Sequence, residues 1–224
     1  ISDPDKREEL YKLFQVDRMC GTWEEAFAYS TKKETQVDLP VFSDNLLRYN
    51  GEDINMLGEK ENRYPWQQNL IEVLFTEDET DIKTPDDRTI IWVTDPKGNT
   101  GKSKFVKYLC FNYPNCVKVS FGTATQLRSA LVSVGQKKLY FIDIPRTLGE
   151  DDSIKSLISA LEDLKNGYVV STMYGKHSAL LMNPPSIVVF SNKHAPKDMM
   201  SNDRWITYII DEDKHMYTYD RLYS

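Results

Sequence analysis

Asp95-Pro96-Lys97-Gly98-Asn99-Thr100-Gly101-Lys102-Ser103 decides the fold, because it follows the apolar run Ile90-Ile91-Trp92-Val93 and opens a segment suited to a helix. Strand, phosphate loop and helix in that order make a nucleoside-triphosphate site. Successive backbone N–H groups of such a loop point inward, and the positive end of the following helix adds to them, so a polyphosphate is held largely by main chain. Lys102 is then expected on the β- and γ-phosphates of ATP and Ser103 on Mg²⁺, with Gly98, Asn99, Thr100 and Gly101 completing the cradle. One departure is visible. The common pattern opens on Gly five residues before Gly101, a place held here by Pro96, and Gly98 supplies the flexible point instead.

Around this loop the apolar stretches alternate between two lengths. Strands are expected at Cys116 to Phe121, Lys138 to Ile144, Tyr168 to Thr172, Ser186 to Ser191 and Ile206 to Ile210, with helices from about Thr125 and from about Asp151 to Leu164. Apolar strands bounded by helices imply an α/β fold, a mainly parallel sheet covered on both faces. Upstream, Pro65-Trp66 starts a helix with Leu70, Ile71, Val73 and Leu74 along one side, and the acidic stretch Thr76 to Asp87 leads into the loop strand. Residues 34 to 62 are polar and irregular, with Asp38-Leu39-Pro40 and Asn50-Gly51 as turn signals, and read as a linker. Before them, one short helix is expected from Asp3-Pro4-Asp5 through Leu13 and a second from Trp23 to about Thr31.

With 224 residues and 40% apolar content, the chain can bury a core for one ordinary domain and an extension. No apolar run approaches a membrane span and no secretory leader is visible, so a soluble intracellular protein with no membrane partner is expected. The cysteines, Cys20, Cys110 and Cys116, are odd in number and lack metal spacing, and packing roles suit them best. The chain opens on Ile1 rather than Met, so sequence upstream of it is expected.

Three further residues complete a reaction centre. Leu139-Tyr140-Phe141-Ile142-Asp143 is an apolar strand ending in a carboxylate forty residues after Ser103, where a Mg²⁺-organising Asp belongs. Ser186 to Ser191 is followed by Asn192, an amide suited to orienting water against the γ-phosphate. Arg204, in Ser201-Asn202-Asp203-Arg204-Trp205, precedes a strand, as does an arginine that reaches a neighbouring subunit's phosphates. Taken singly, each is an ordinary turn or surface residue. Their order is what gives them weight.

Charge tempers any reading that involves DNA. Twenty-eight basic against 34 acidic residues give a net charge of −6, so a general nucleic-acid surface is excluded and contact must come from local clusters. The candidates are Lys165, Lys176 with His177, and Lys193 with His194 and Lys197.

Taken together, the ordered set resembles the compact superfamily 3 helicases, a P-loop class with an AAA+-like sheet. More narrowly it resembles the replication initiator proteins (Rep) of circular single-stranded DNA viruses of the nanovirus and circovirus kind. Pro65-Trp66-Gln67, Arg88-Thr89-Ile90-Ile91-Trp92, the loop, Asp143-Ile144-Pro145-Arg146, Asn166-Gly167 with Met173-Tyr174-Gly175-Lys176, Asn192 and Asp203-Arg204-Trp205 carry the likeness. The resemblance implies a helicase domain over 63–215, a remnant of a nuclease domain over 1–35, a linker over 36–62 and a tail over 216–224. It also implies a homo-oligomeric ring, expected to be a hexamer, on single-stranded DNA in a host nucleus, with Lys165 and a hairpin bearing Lys176 and His177 on the DNA. The nuclease of such proteins attacks DNA with a tyrosine in a Tyr-x-x-Lys helix, matched here by Tyr29 and Lys32. Its metal-holding histidines have no counterpart, since the histidines are His177, His194 and His215. Ile144 stands where many helicases carry a second acid, leaving Glu150, Asp151 or Asp152 as candidates for general base. Two competing readings are a nucleotide kinase, which lacks its arginine-rich lid here, and a nucleotide-gated DNA-binding platform with slow hydrolysis.

Overall fold

The structure, a computed structural model, describes residues 55–146, 152–173 and 177–219, all within the chain's second unit, 51–224. Tyr29 and its helix, Lys176, Glu150, Asp151 and the side chain of Asp152 lie outside the described residues.

The loop strand, β1 (Ile90–Thr94), is buried along its whole length. It lies inside a six-stranded sheet with β2 (Cys116–Ser120), β3 (Leu139–Asp143), β6 (Ser186–Ser191), β7 (Trp205–Ile210) and β8 (Met216–Thr218), in the order β2-β3-β6-β1-β7-β8. All neighbours are parallel except β8, which runs antiparallel to β7. Crossovers between parallel strands need intervening helices, and these are α2 (Lys102–Asn112), α3 (Ala124–Val134) and α4 (Asp152–Lys165). An earlier helix, α1 (Pro65–Leu74), precedes the sheet.

Alternation along each strand divides the interior in two. Ile91, Val93, Leu139, Phe141, Val188 and Phe190 join a core with Trp66, Leu70 and Phe105 of α1 and α2. Their neighbours Ile90, Trp92, Tyr140, Ile142, Ile187 and Val189 join a second core with Leu127, Leu131, Leu157 and Leu161 of α3 and α4. A strand read as a continuous apolar run is therefore one buried on both faces, as expected of a parallel sheet.

Local signals set the helix starts. Pro65 occupies the first position of α1, where its missing N–H costs nothing, and Gln67 Oε1 accepts the Tyr64 N–H at 2.9 Å. Thr123 Oγ1 accepts the Gln126 N–H at 3.3 Å, while Gln126 Oε1 accepts the Thr123 N–H at 3.0 Å, a reciprocal cap on α3.

Several expectations shift in detail. Tyr168 to Thr172 is not a member of the main sheet: β4 (Tyr168–Ser171) pairs antiparallel with β5 (Ser178–Leu181) as a separate hairpin. Residues 216–218, read as tail, form β8 with Met216 buried. The end of the stretch read as linker contains 3₁₀ turns at Met56–Gly58 and Lys60–Asn62, and Leu57 packs into the core. Val73, placed on the apolar side of its helix, is exposed; Leu70, Ile71 and Leu74 carry the burial. Cys116 is buried and Cys110 half-buried, both unbridged, and burial pushes the Cys110 thiol up to about 11, as inert packing residues require.

Candidate functional site

The phosphate loop, Asp143 and Asn192 lie at the carboxyl edge of the parallel strands. Thr94 is level with Ser191 of β6 and Ile209 of β7, and Asp143 is level with Phe190, so β1, β3 and β6 release their next residues into one crevice. Open parallel sheets bind their ligands in such crevices.

The loop between β1 and α2 takes backbone conformations that free it to curl. Gly98, Asn99 and Gly101 have φ of 76°, 60° and 81°, and left-handed Gly101 caps the start of α2. Gly101 serves a second purpose, because a Cβ there would stand 3.2 Å from Tyr64 Cε2 and 3.3 Å from Gln67 Nε2. The start of α1 is thus pressed against the loop. Trp66, fully buried, donates its indole N–H to Thr100 O at 2.9 Å and ties the two together.

Asp95 organises the loop from beneath. Its buried carboxylate accepts the Gly98 N–H at 2.8 Å and the Thr100 hydroxyl at 2.7 Å, and pairs with the Lys102 ammonium. Burial alone would raise its pKa, yet the bonds from Lys102, Thr100 and Gly98 outweigh that and hold the carboxyl below its ordinary value. Lys102 consequently sits against an internal anion, at the place where a phosphate anion is expected. The first residue of the loop is held from the neighbouring strand as well: its N–H donates to Ser191 O at 2.8 Å, and the Asn192 side-chain amide donates to its carbonyl.

The other expected residues divide clearly. Asn192 reaches the loop, as just described. Asp143 ends β3, two strand spacings or roughly 10 Å from β1, with the Lys118 ammonium 3.6 Å away. Ser103 is exposed in the first turn of α2. Among the described residues no cluster of three or more His, Cys, Asp or Glu stands ready to hold a metal. Ser103 and Asp143 are oxygen donors of the kind that Mg²⁺ takes alongside substrate phosphates and water.

Arg204 lies elsewhere. Trp205 pairs with Ile90, the first residue of β1, so Arg204 is at the opposite edge of the sheet, roughly 17 Å along the strand from the loop. Asp203 beside it pairs with Arg88.

Lys165 corrects an expectation. It is 1% exposed, and its ammonium donates to the backbone carbonyls of Asp86 and Pro185 at 2.8 Å each. That lysine ties segments of the fold together and does not face a nucleic acid. His177 is exposed at the turn of the β4–β5 hairpin, next to the position of Lys176. The His194 ring packs at a tilt against that of Tyr219, centroids 4.6 Å apart, and Lys197 also lies over Tyr219.

Three residues of this corner went unassigned on sequence: Asp95, Trp66 and Arg146. Arg146 follows β3 by three residues and donates Nη2–H to Lys97 O at 2.7 Å. Its nearness to Asp143 in the chain is the signal that would have drawn attention to it.

The chain is similar over most of its length to proteins of alphasatellites. It is 29% identical over 226 aligned residues to the Para-Rep C1 protein of Faba bean necrotic yellows C1 alphasatellite, covering 84% of this chain and 75% of that one. To the Para-Rep C6 protein of Subterranean clover stunt C6 alphasatellite it is 27% identical over 219, covering 89% and 71%. A shorter match, 36% over 110 residues, joins it to the Para-Rep C7 protein of Faba bean necrotic yellows C7 alphasatellite, covering 49% and 35%. No protein-family model matches the chain. Among the described residues no helix is long and apolar enough to cross a membrane.

Proposed function

We propose that residues 63–215 are the ATP-hydrolysing helicase domain of a rolling-circle replication initiator, working as a homo-oligomeric ring on single-stranded DNA. The observation that carries the reading is the division of catalytic groups between two edges of one sheet. Lys102, Asp143 and Asn192 converge at the carboxyl edge, while Arg204 stands at the other, beyond reach of the loop in its own subunit. An arginine so placed is available to a neighbour's nucleotide, and a ring is one assembly in which every such site is completed. The likeness to Para-Rep proteins supports the same assignment.

In this reading the loop amides and Lys102 bind the β- and γ-phosphates, Lys102 exchanging the Asp95 carboxylate for phosphate oxygens. Ser103 and Asp143 would hold Mg²⁺, which would supply positive charge to the triphosphate. Asn192 fixes the loop through its amide N–H, and its side-chain oxygen is the atom left to orient water. Arg204 meets the charge that develops on the transferring phosphate of the adjacent subunit. The hairpin, with Lys176 and His177 at its turn, grips DNA phosphates without reading sequence. Residues 1–35 belong with an upstream nuclease in which Tyr29 is the nucleophile.

The alternative, a nucleotide-gated platform with little hydrolysis, draws on one observation: Ile144, at the place of a second acid, is buried and apolar. ATP turnover with and without single-stranded DNA separates the two. Turnover stimulated by DNA and lost in Lys102→Ala, by about 10²-fold or more, is the result expected of the helicase. Absent turnover with intact nucleotide binding favours the platform.

A further inference from the structure

Three cations surround the phosphate loop, and their partners differ. Lys102 is paired with Asp95 and Lys97 with Glu212. The partner of Arg146 is a neutral carbonyl, Lys97 O at 2.7 Å, with no ion pair to a carboxylate among the described residues. Its guanidinium also fills a space that the loop leaves open for it. A Cβ on Gly98 would lie 1.7 Å from Arg146 Nη2 and 2.9 Å from Cζ, so the glycine is needed for this contact as well as for its φ of +76°.

The position has chemical meaning. Ile144, buried, donates its N–H to Phe190 O at 2.9 Å and so holds the segment after Asp143 against the end of β6. That anchor carries Arg146 across to the loop and sets it on the side nearest the strand-ending carboxylate. If Asp143 holds the Mg²⁺ that accompanies a triphosphate, the side of the loop toward Asp143 would be where the terminal phosphate lies. A guanidinium there offers several N–H donors in a planar fork suited to phosphate oxygens.

We propose that Arg146 is a phosphate-binding residue acting within its own subunit, which leaves Lys97 O for the γ-phosphate of ATP and lets the site distinguish ATP from ADP. The proposal rests on the reading of the loop as a nucleotide site. It is distinct from the role of Arg204, which serves the neighbouring subunit.

The experiment measures binding of Mg-ATP and Mg-ADP separately to the full chain, as wild type, Arg146→Ala and Arg146→Lys. Both variants alter an exposed side chain and are expected to keep the wild-type circular dichroism spectrum. In Arg146→Ala, ATP affinity is expected to fall roughly 10- to 100-fold, the loss of one charge-assisted bond, while ADP affinity moves less than about threefold. Arg146→Lys should recover part of the ATP affinity, since the charge returns without the fork. An equal fall for ATP and ADP, or no fall for either, would show that Arg146 merely braces the loop and overturns the proposal. A wild-type chain that binds neither nucleotide overturns the underlying reading of the loop, and this proposal with it.

Discussion

Each edge of the six-stranded sheet holds a lysine withdrawn from solvent, and the two edges use it in opposite ways. At the carboxyl edge Lys102 pairs with the buried Asp95 carboxylate, with its side chain still 15% exposed on the loop. At the amino edge Lys165 is enclosed and bonded to the carbonyls of Asp86 and Pro185, just before β1 and β6 begin. Burial lowers the pKa of Lys165, a shift that the nearby Asp86 charge opposes. In the proposed reading the first arrangement is an exchangeable pair, in which an incoming phosphate replaces the anion already present. The second is a structural tie with no ligand to exchange for. Both lysines face a carboxylate, Lys165 that of Asp86 at 3.6 Å, so what separates them is that Lys102 keeps access to solvent and Lys165 does not.

The sharpest break in that comparison is Arg204, a functional charge assigned to the structural edge. Because it lies a sheet's length from the loop, Arg204→Ala is expected to lower ATP turnover by about 10³–10⁵ while leaving nucleotide affinity nearly unchanged. Mixing Arg204→Ala with Lys102→Ala chains should restore some turnover, since a mixed interface can combine an intact loop with an intact arginine. Recovery is measured as turnover against mixing ratio. No recovery at any ratio would mean that the amino edge has no catalytic role across an interface.

Lys165 tests the other half. Lys165→Met removes the ammonium and leaves the Pro185 carbonyl, which is buried, and the Asp86 carbonyl without their donor, which is expected to cost about 2 kcal/mol of stability and roughly 4–8 °C in Tm. Nucleotide affinity and binding of single-stranded DNA should stay as in wild type. An unchanged Tm with weakened DNA binding would reverse the assignment and return Lys165 to the nucleic-acid surface.

How much of this division could be read from the chain depends on the range of the contacts involved. The loop was legible because strand, loop and helix are contiguous, and left-handed Gly98 and Gly101 announce themselves locally. Asp143 and Asn192 were legible for a related reason, since a polar residue ending an apolar parallel strand comes to the crevice edge whatever the strand order. Trp66 on Thr100 and Arg146 on Lys97 depend on how separate segments pack, and composition carries no trace of that; Asp95 on Lys102 depends on how the loop curls back on itself. Lys165 was misread for the same reason: at the end of an amphipathic helix a lysine looks solvated, and only the arrival of Asp86 and Pro185 encloses it. The short edge strand β8 escaped notice because Met216-Tyr217-Thr218 is too brief for a period of two to stand out.

The smallest expected effect concerns Asp203, which pairs with Arg88 on the surface next to Arg204. The hydrogen bond from Arg88, followed by one from Ser201, holds its carboxyl at about 2, against an ordinary value of 3.8. A carboxylate whose folded pKa is depressed stabilises the fold at pH values above the unfolded value, and that contribution fades as the pH falls from 3.8 toward 2. Between pH 5 and 9 the pair is fully charged, and its exposure to water keeps its worth small. Asp203→Asn should therefore leave Tm at neutral pH close to wild type, and the two Tm curves should converge as the pH approaches 2. A lasting gap at low pH would mean that packing, not charge, is what Asp203 supplies. The same variant sharpens the contrast between the edges through a second readout. If Asp203 steadies the turn that presents Arg204, turnover should fall by a few-fold, far less than in Arg204→Ala, with nucleotide affinity unaltered.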